Sequence, residues 1–242
     1  MATPRHELLI VDDADSLARE AAKRVIARIN EGTRPAICLT GGSSPKRLYE
    51  LLGGEALRGQ IPWDRVHWFV GDDRFVPSDD PLSNIGMARK IFLDRLAPSK
   101  NVHAIPTDAP DPDAAARAYD NDLRAFYGAN SLDPARPLFD VVLLGVGPDG
   151  HVASLFPGQQ HDDRDRWVVG VPTANVQPFV PRVTLTVPAL ASCRQMLFLV
   201  SGPEKREIFA RVRRGDDLPA THMRSNVLTT WLVDRAAAGD GA

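Results

Sequence analysis

Phe139-Asp-Val-Val-Leu-Leu144 is an apolar run that opens into Gly145-Val-Gly-Pro-Asp149-Gly-His151 and then Val152-Ala-Ser-Leu-Phe-Pro157. A short apolar run closed by glycines reads as a strand buried on both faces. Asp149 and His151 then stand just past its last residue, at a strand's carboxyl end. In open α/β sheets that is where ligands bind. His151 is the first candidate for chemistry. Asp149 is the acid that can fix its tautomer and stabilise its protonated form.

The flanking sequence repeats the pattern. His6 to Val11, Pro35 to Thr40 and Val66 to Val70 read as strands before this one, with Val102 to Ile105 a weaker one. Trp167 to Val171, Arg182 to Val187, Met196 to Val200 and Val227 to Leu232 read as strands after it. Between them, Leu17, Ala21, Val25 and Ile29 recur at helical spacing, preceded by Asp12, Asp13 and Asp15 as caps and followed by Gly32. Helices are also expected after Pro45, from Asn84 to Leu96, from Asp113 to Phe126 and from Pro203 to Val212. Strands alternating with helices mean an α/β fold, a mostly parallel sheet with helices on both faces. A small additional strand-containing region is expected beside it. No internal repeat appears. Thr107 to Pro112 and Gly158 to Arg166 read as surface connections rather than boundaries. Residues 1–242 are therefore expected to form one domain. The tail from Ala236 to Ala242 reads as frayed.

Composition narrows the class. The net charge of −2, with no polybasic block, gives no electrostatic reason to expect nucleic acid. No apolar run approaches the roughly 18 residues of a membrane span. The N-terminal residues lack the pattern of a signal peptide, so the expected compartment is the cytoplasm. The two cysteines, Cys38 and Cys193, sit in apolar strand-like segments without CxxC spacing and read as buried small hydrophobes. No metal-ligand cluster is visible, and no serine sits in a G-x-S-x-G elbow.

Three more turns could bind a ligand. Thr40-Gly41-Gly42-Ser43-Ser44-Pro45 joins a strand to a helix. Its glycines admit a ligand close to backbone N–H groups, its serines add hydroxyls, and a helix start carries partial positive charge. It is neither a Walker loop nor GxGxxG. A tight loop with a serine cap is the structural alternative. Gly71-Asp72-Asp73-Arg74 also follows a strand, with Ser83-Asn84 beyond it. Arginine can grip a phosphate or carboxylate by two hydrogen bonds. Asp72 or Asp73 could orient it or hold a sugar hydroxyl, although for this turn taken alone a surface ion pair beside a helix cap is the favoured reading. Arg182 opens a strand, and Lys205 lies near a helix start where it could neutralise an anion.

Taken in order, these pieces resemble the 6-phosphogluconolactonase family over nearly the whole chain. The resemblance rests on Leu39-Thr-Gly-Gly-Ser-Ser-Pro45, Gly71-Asp-Asp-Arg-Phe-Val-Pro77, Ser83-Asn84, Leu144 to Pro157, Arg182-Val-Thr-Leu-Thr186, Phe198-Leu-Val-Ser-Gly202 with Lys205, and Leu218-Pro-Ala220. Asp73 stands where the family commonly has glutamate, which leaves its contacts open. The resemblance implies a Rossmann-like sheet. It implies hydrolysis of 6-phospho-D-glucono-1,5-lactone, with His151 as general base and Asp149 orienting it. The phosphate is expected at Gly41, Gly42, Ser43 and Ser44, with charge from Arg74 and Lys205. Asp72, Asn84 and Arg182 are expected beside the sugar or positioning these groups. Oxyanion donors are expected among the backbone N–H groups of the glycine turns. No cofactor, metal, nucleic acid or membrane is implied, and the expected state is a monomer whose partner is the small phosphorylated sugar lactone. The sibling glucosamine-6-phosphate deaminases typically carry Ala-Phe-Asn-Glu-Pro where this chain has Ala153-Ser-Leu-Phe-Pro157. Phe156 cannot relay a proton and is expected to pack beside the site. A catalytically silent sugar-phosphate sensor is the alternative of another class.

Overall fold

The computed structural model describes residues 3–159 and 165–239. Its centre is a six-stranded parallel sheet in the order β1-β9-β8-β5-β2-β3. These strands are β1 Arg5–Val11, β2 Ala36–Leu39, β3 His67–Val70, β5 Phe139–Leu144, β8 Cys193–Val200 and β9 Leu228–Asp234. In β2 and in most of β5 and β8, successive residues are buried, so both faces of the central strands are covered. That is why they read as continuous apolar runs rather than alternating ones. Helix α1, Ala14–Glu31, buries Leu17, Ala21, Val25 and Ile29 and packs on β5, β8 and β9. Asp13 caps it by accepting from Ser16 N at 2.7 Å.

From β2 the chain moves to one side for β3. It later returns to the other side of β2 for β5, then continues through β8 to β9. The reversal lies between β2 and β5. A crevice must open there at the strands' carboxyl ends, because the two connections leave in opposite directions. Two buried tyrosines secure this end of the sheet. Tyr49 Oη accepts from Thr40 N at 3.0 Å and donates to Thr40 O at 2.7 Å. Tyr119 Oη does the same for Val70, at 3.0 and 3.1 Å. Each hydroxyl satisfies backbone groups that the sheet no longer pairs.

A second, antiparallel sheet has the order β4-β7-β6, made of Asp72–Arg74, Arg182–Leu185 and Val168–Val171. It corrects the reading of Gly71 to Arg74 as a plain turn. Residues 72–74 are a strand whose partner lies far along the chain, in register Asp72↔Thr184 and Arg74↔Arg182. The expected strand from Val102 to Ile105 reduces to one bridge between Trp68 and Val102. His103 N donates to Trp68 O, and Pro106, without an N–H, follows at once. Residues 84–96 are helical throughout but pass through a π segment, Arg89–Leu93. The helix expected from Pro203 begins as a 3-10 turn, Pro203–Lys205, and continues as Arg206–Arg214. The expected frayed tail is helical over Arg235–Ala238, capped by Asp234, and residues 240–242 lie outside the described residues. Part of the connection from Gly158 to Arg166 also lies outside them. No helix among the described residues is long and apolar enough to cross a membrane.

Candidate active site

The crevice between β2 and β5 is a cavity of about 250 Å³. Gly41, Gly42, Ser43, Ser44, Asp72, Arg74, Asn84, His151, Arg182 and Lys205 all line it. Of the residues expected to be catalytic or to bind substrate, Asp149 stands behind the wall, where it holds His151.

The β5 end supplies the acid–base pair. His151 Nδ1 lies 2.5 Å from Asp149 Oδ1, which also accepts from the His151 backbone N at 3.1 Å. An ionised carboxylate only accepts, so Nδ1 carries the hydrogen and Nε2 is left free to take a proton. Burial pushes the Asp149 carboxyl up, but the hydrogen bond and charge of His151 outweigh it and hold the group below its ordinary value. Gly147 makes room for the ring. A Cβ there would sit 2.0 Å from His151 Cε1, so any side chain would displace the imidazole. On its other side the ring meets Phe156, centroids 4.9 Å apart, so Phe156 packs beside the histidine. Two amides of this glycine turn are engaged within the loop: Gly147 N donates to His151 O and Gly150 N to Gly147 O.

The β2 end supplies an open helix start. Helix α2, Ser43–Gly53, has Gly42 at its N-cap, and no side chain caps it. The serine cap considered from sequence is therefore absent. The first N–H groups of this helix face a cavity without a protein acceptor from a capping side chain. Gly41 allows a close crossing: a Cβ would lie 1.8 Å from Asn84 Oδ1.

The small sheet supplies cations. Strand alternation puts Asp72 and Arg74 on the cavity and Asp73 on the opposite side. Arg74 and Arg182 face each other across β4 and β7, and among the described residues neither is in an ion pair. Arg74 Nη1 donates to Leu82 O at 2.7 Å, while its buried Nε has no partner. Arg182 is 4% exposed, with Nε on Val180 O and Nη2 on Pro178 O. Burial, and then the neighbouring Arg74 charge, depress its guanidinium below the ordinary value. Two like charges side by side, Arg182 buried and Arg74 partly so, favour an anion between them. Lys205 reaches in from the turn after β8, its Nζ donating to Val146 O at 2.8 Å.

Sequence reasoning missed several contributors. Ser154, fully buried, donates its hydroxyl to Asp72 Oδ2 at 2.5 Å and its backbone N–H to Thr184 Oγ1 at 3.2 Å. Gln177 and Leu199 also line the cavity. No spacing rule marks these residues. Only the quoted Ala153-Ser-Leu-Phe-Pro157 run pointed near Ser154. Among the described residues, no group of three or more His, Cys, Asp or Glu side chains is gathered to hold a metal ion.

Residues 12–231 match the family described as glucosamine-6-phosphate isomerases/6-phosphogluconolactonase. The chain is 40% identical over 219 residues to a 6-phosphogluconolactonase of Nostoc sp., covering 88% of this chain and 87% of that one. It is 39% identical over 242 residues to a 6-phosphogluconolactonase of Mycobacterium tuberculosis, covering 95% and 96%. Its fold matches the crystal structure of the 6-phosphogluconolactonase of Thermotoga maritima with a TM-score of 0.82 at 30% identity, covering 96% and 100%.

Proposed function

The chain belongs to the glucosamine-6-phosphate isomerase/6-phosphogluconolactonase family, and on that premise we propose that it hydrolyses 6-phospho-D-glucono-1,5-lactone to 6-phospho-D-gluconate, a step of the oxidative pentose phosphate pathway. The observation that carries this reading is that the Asp149–His151 pair opens on the same cavity as Arg74 and Arg182, which have no ion-pair partner among the described residues. One end of that cavity can move a proton, and the other can hold a dianion.

The lactone carbonyl is electrophilic, so the protein has little to add beyond an oriented base. His151 Nε2 takes a proton from water as the water oxygen bonds to C1. The C1–ring oxygen bond then breaks, and the same proton passes from Nε2 to the leaving ring oxygen, which becomes the C5 hydroxyl. One imidazole can serve both steps because the proton it takes in the first is the one it gives up in the second. Asp149 keeps the hydrogen on Nδ1 and stabilises the cation formed between the two steps. The 6-phosphate sits at the α2 start, at Gly41, Gly42, Ser43 and Ser44, with Arg74 and Lys205 nearby. Asp72, Asn84 and Arg182 border the sugar. We propose a monomer as the working unit.

The test follows loss of 6-phosphogluconolactone with and without the protein, subtracting spontaneous hydrolysis. Acceleration proportional to protein is expected, with no ammonia released from glucosamine 6-phosphate. A rate equal to the spontaneous one would remove the proposal.

A further inference from the structure

Asp73 is fully buried and does not line the cavity, yet its carboxylate accepts four hydrogen bonds. Oδ1 takes Arg74 N at 2.8 Å and Asn84 N at 2.6 Å. Oδ2 takes Ser83 Oγ at 3.2 Å and Ile85 N at 3.1 Å. These donors come from two separate pieces of chain. One is β4 itself. The other is the start of the helix at Asn84–Ala88, whose first N–H groups would otherwise be buried without a partner. Asn84 is thereby fixed, with its Nδ2 on Asp72 O at 2.9 Å and its side chain against Gly41. One carboxylate outside the cavity therefore joins two of its walls, β4 and the helix start, and through Asn84 bears on the loop before α2.

We infer that Asp73 is a positioning residue for phosphosugar binding. Its carboxylate sets where Arg74 and Asn84 stand relative to the α2 loop. The inference rests on the substrate reading above. A buried carboxylate holding four donors has no easy substitute. Asparagine at 73 would turn an NH2 group toward backbone N–H donors and release at least one of them. Protonation would do the same. Burial pushes the Asp73 carboxyl up to about 6 against the pull of the Asn84 and Ile85 amides, and Asp72 adds to the rise. Other charged or titratable groups around it are Arg74 on its own strand, Arg182 on β7 and Tyr119 from the helix Pro112–Tyr127.

The experiment compares wild type with Asp73→Asn. It measures KM and kcat for the lactone, and Kd for 6-phosphogluconate by calorimetry. KM and Kd should rise roughly 10- to 100-fold, the scale of a buried donor left unpaired, and the KM rise should exceed any fall in kcat. The ratio of the two Kd values should shrink as pH falls from about 8 to about 5, because the wild type then loses the same carboxylate. The ligand's own phosphate titration is common to both proteins and cancels in that ratio. A merely structural Asp73 would lower the unfolding temperature without moving KM. If Asp73→Asn does not fold, Ser83→Ala removes one donor, and the same shift is expected at smaller size. Unchanged KM and Kd, a fall in kcat alone, or a pH-independent ratio would overturn the inference while a fully active wild type leaves the functional reading standing. A wild type that neither hydrolyses the lactone nor binds 6-phosphogluconate sinks both.

Discussion

His151 carries the proposed chemistry through one contact and one gap. The contact is Nδ1 on Asp149 at 2.5 Å, and the gap is the missing side chain of Gly147. His151→Ala should lower kcat by roughly 10²–10⁴, the usual scale for general acid–base work, while leaving Kd for 6-phosphogluconate nearly intact. Steady-state kinetics paired with calorimetry check this. A folded variant with near wild-type kcat would take the base assignment away. We assign Arg74 to binding. Its buried Nε has no partner and its neighbour Arg182 is also a cation, so an arriving dianion relieves both. Arg74→Ala should weaken 6-phosphogluconate binding by about 2–5 kcal/mol, as for a buried charge pair broken on one side. Unphosphorylated gluconolactone should be affected far less. Equal losses for both ligands would move Arg74 from phosphate binding to the fold, where its Nη1 bond to Leu82 O already gives it a part.

Among the elements, β2 and β4 do the most to shape the crevice. The end of β2 is held by Tyr49, whose hydroxyl both donates to and accepts from Thr40. Thr40 is buried and lines the cavity, so neither of its backbone groups can turn to bulk water at low cost. Tyr49→Phe should lower stability by about 1–3 kcal/mol, the cost of buried backbone groups left unpaired. Urea unfolding should show a lower midpoint at unchanged slope. A midpoint equal to wild type would mean that Thr40 finds other partners. β4 shows why one element escaped local reading. Three residues, Asp-Asp-Arg, have little strand propensity, and they are extended because β7 pairs with them from residues 182–184.

Across the whole molecule, a polarised hydrogen-bond chain lies away from the cavity lining. Arg34 Nε donates to His67 Nε2 at 3.3 Å, His67 Nδ1 meets His103 Nε2 at 3.0 Å, and His103 Nδ1 meets Asp122 Oδ2 at 2.7 Å. Each ring nitrogen has one role, so the chain is complete only with both imidazoles neutral. Burial, and then the Arg34 charge, pull His67 from 6.5 down to about 4. A depressed folded value means that the stability from neutral His67 is complete above about pH 6.5 and is lost as pH falls toward 4. Asp73 acts in the opposite sense. Its folded value of about 6 lies above the ordinary 3.8, so its contribution is complete below 3.8 and lost as pH rises through 6. Between about pH 4 and 6 the two oppose each other. His67→Gln should therefore unfold less steeply with acid than wild type over that window, by urea midpoints at successive pH values. Identical pH profiles would show that the chain of histidines adds nothing to stability.

Much of this protein follows from local pattern. The apolar runs closed by glycines located the parallel strands, because a strand buried on both faces must be apolar throughout. Leu17, Ala21, Val25 and Ile29 marked α1 because a helix buries every third or fourth residue. The acid–base pair was legible because Asp149 and His151 are close in sequence and their bond needs only a tight turn. What local pattern could not supply was anything joining distant segments. The Ser154–Asp72 bond spans 82 residues. Asp73 meets the helix start from ten or more residues away. Gly41 fits against Asn84, and Arg74 faces Arg182 across a sheet with no trace in either segment alone. Hydrogen bonds and close packing act over a few ångströms of space, whatever the separation along the chain. Residue order therefore sets the elements and the loops they carry. The strand order, by bringing the ends of β2, β4, β5 and β7 to one crevice, sets which of those residues meet.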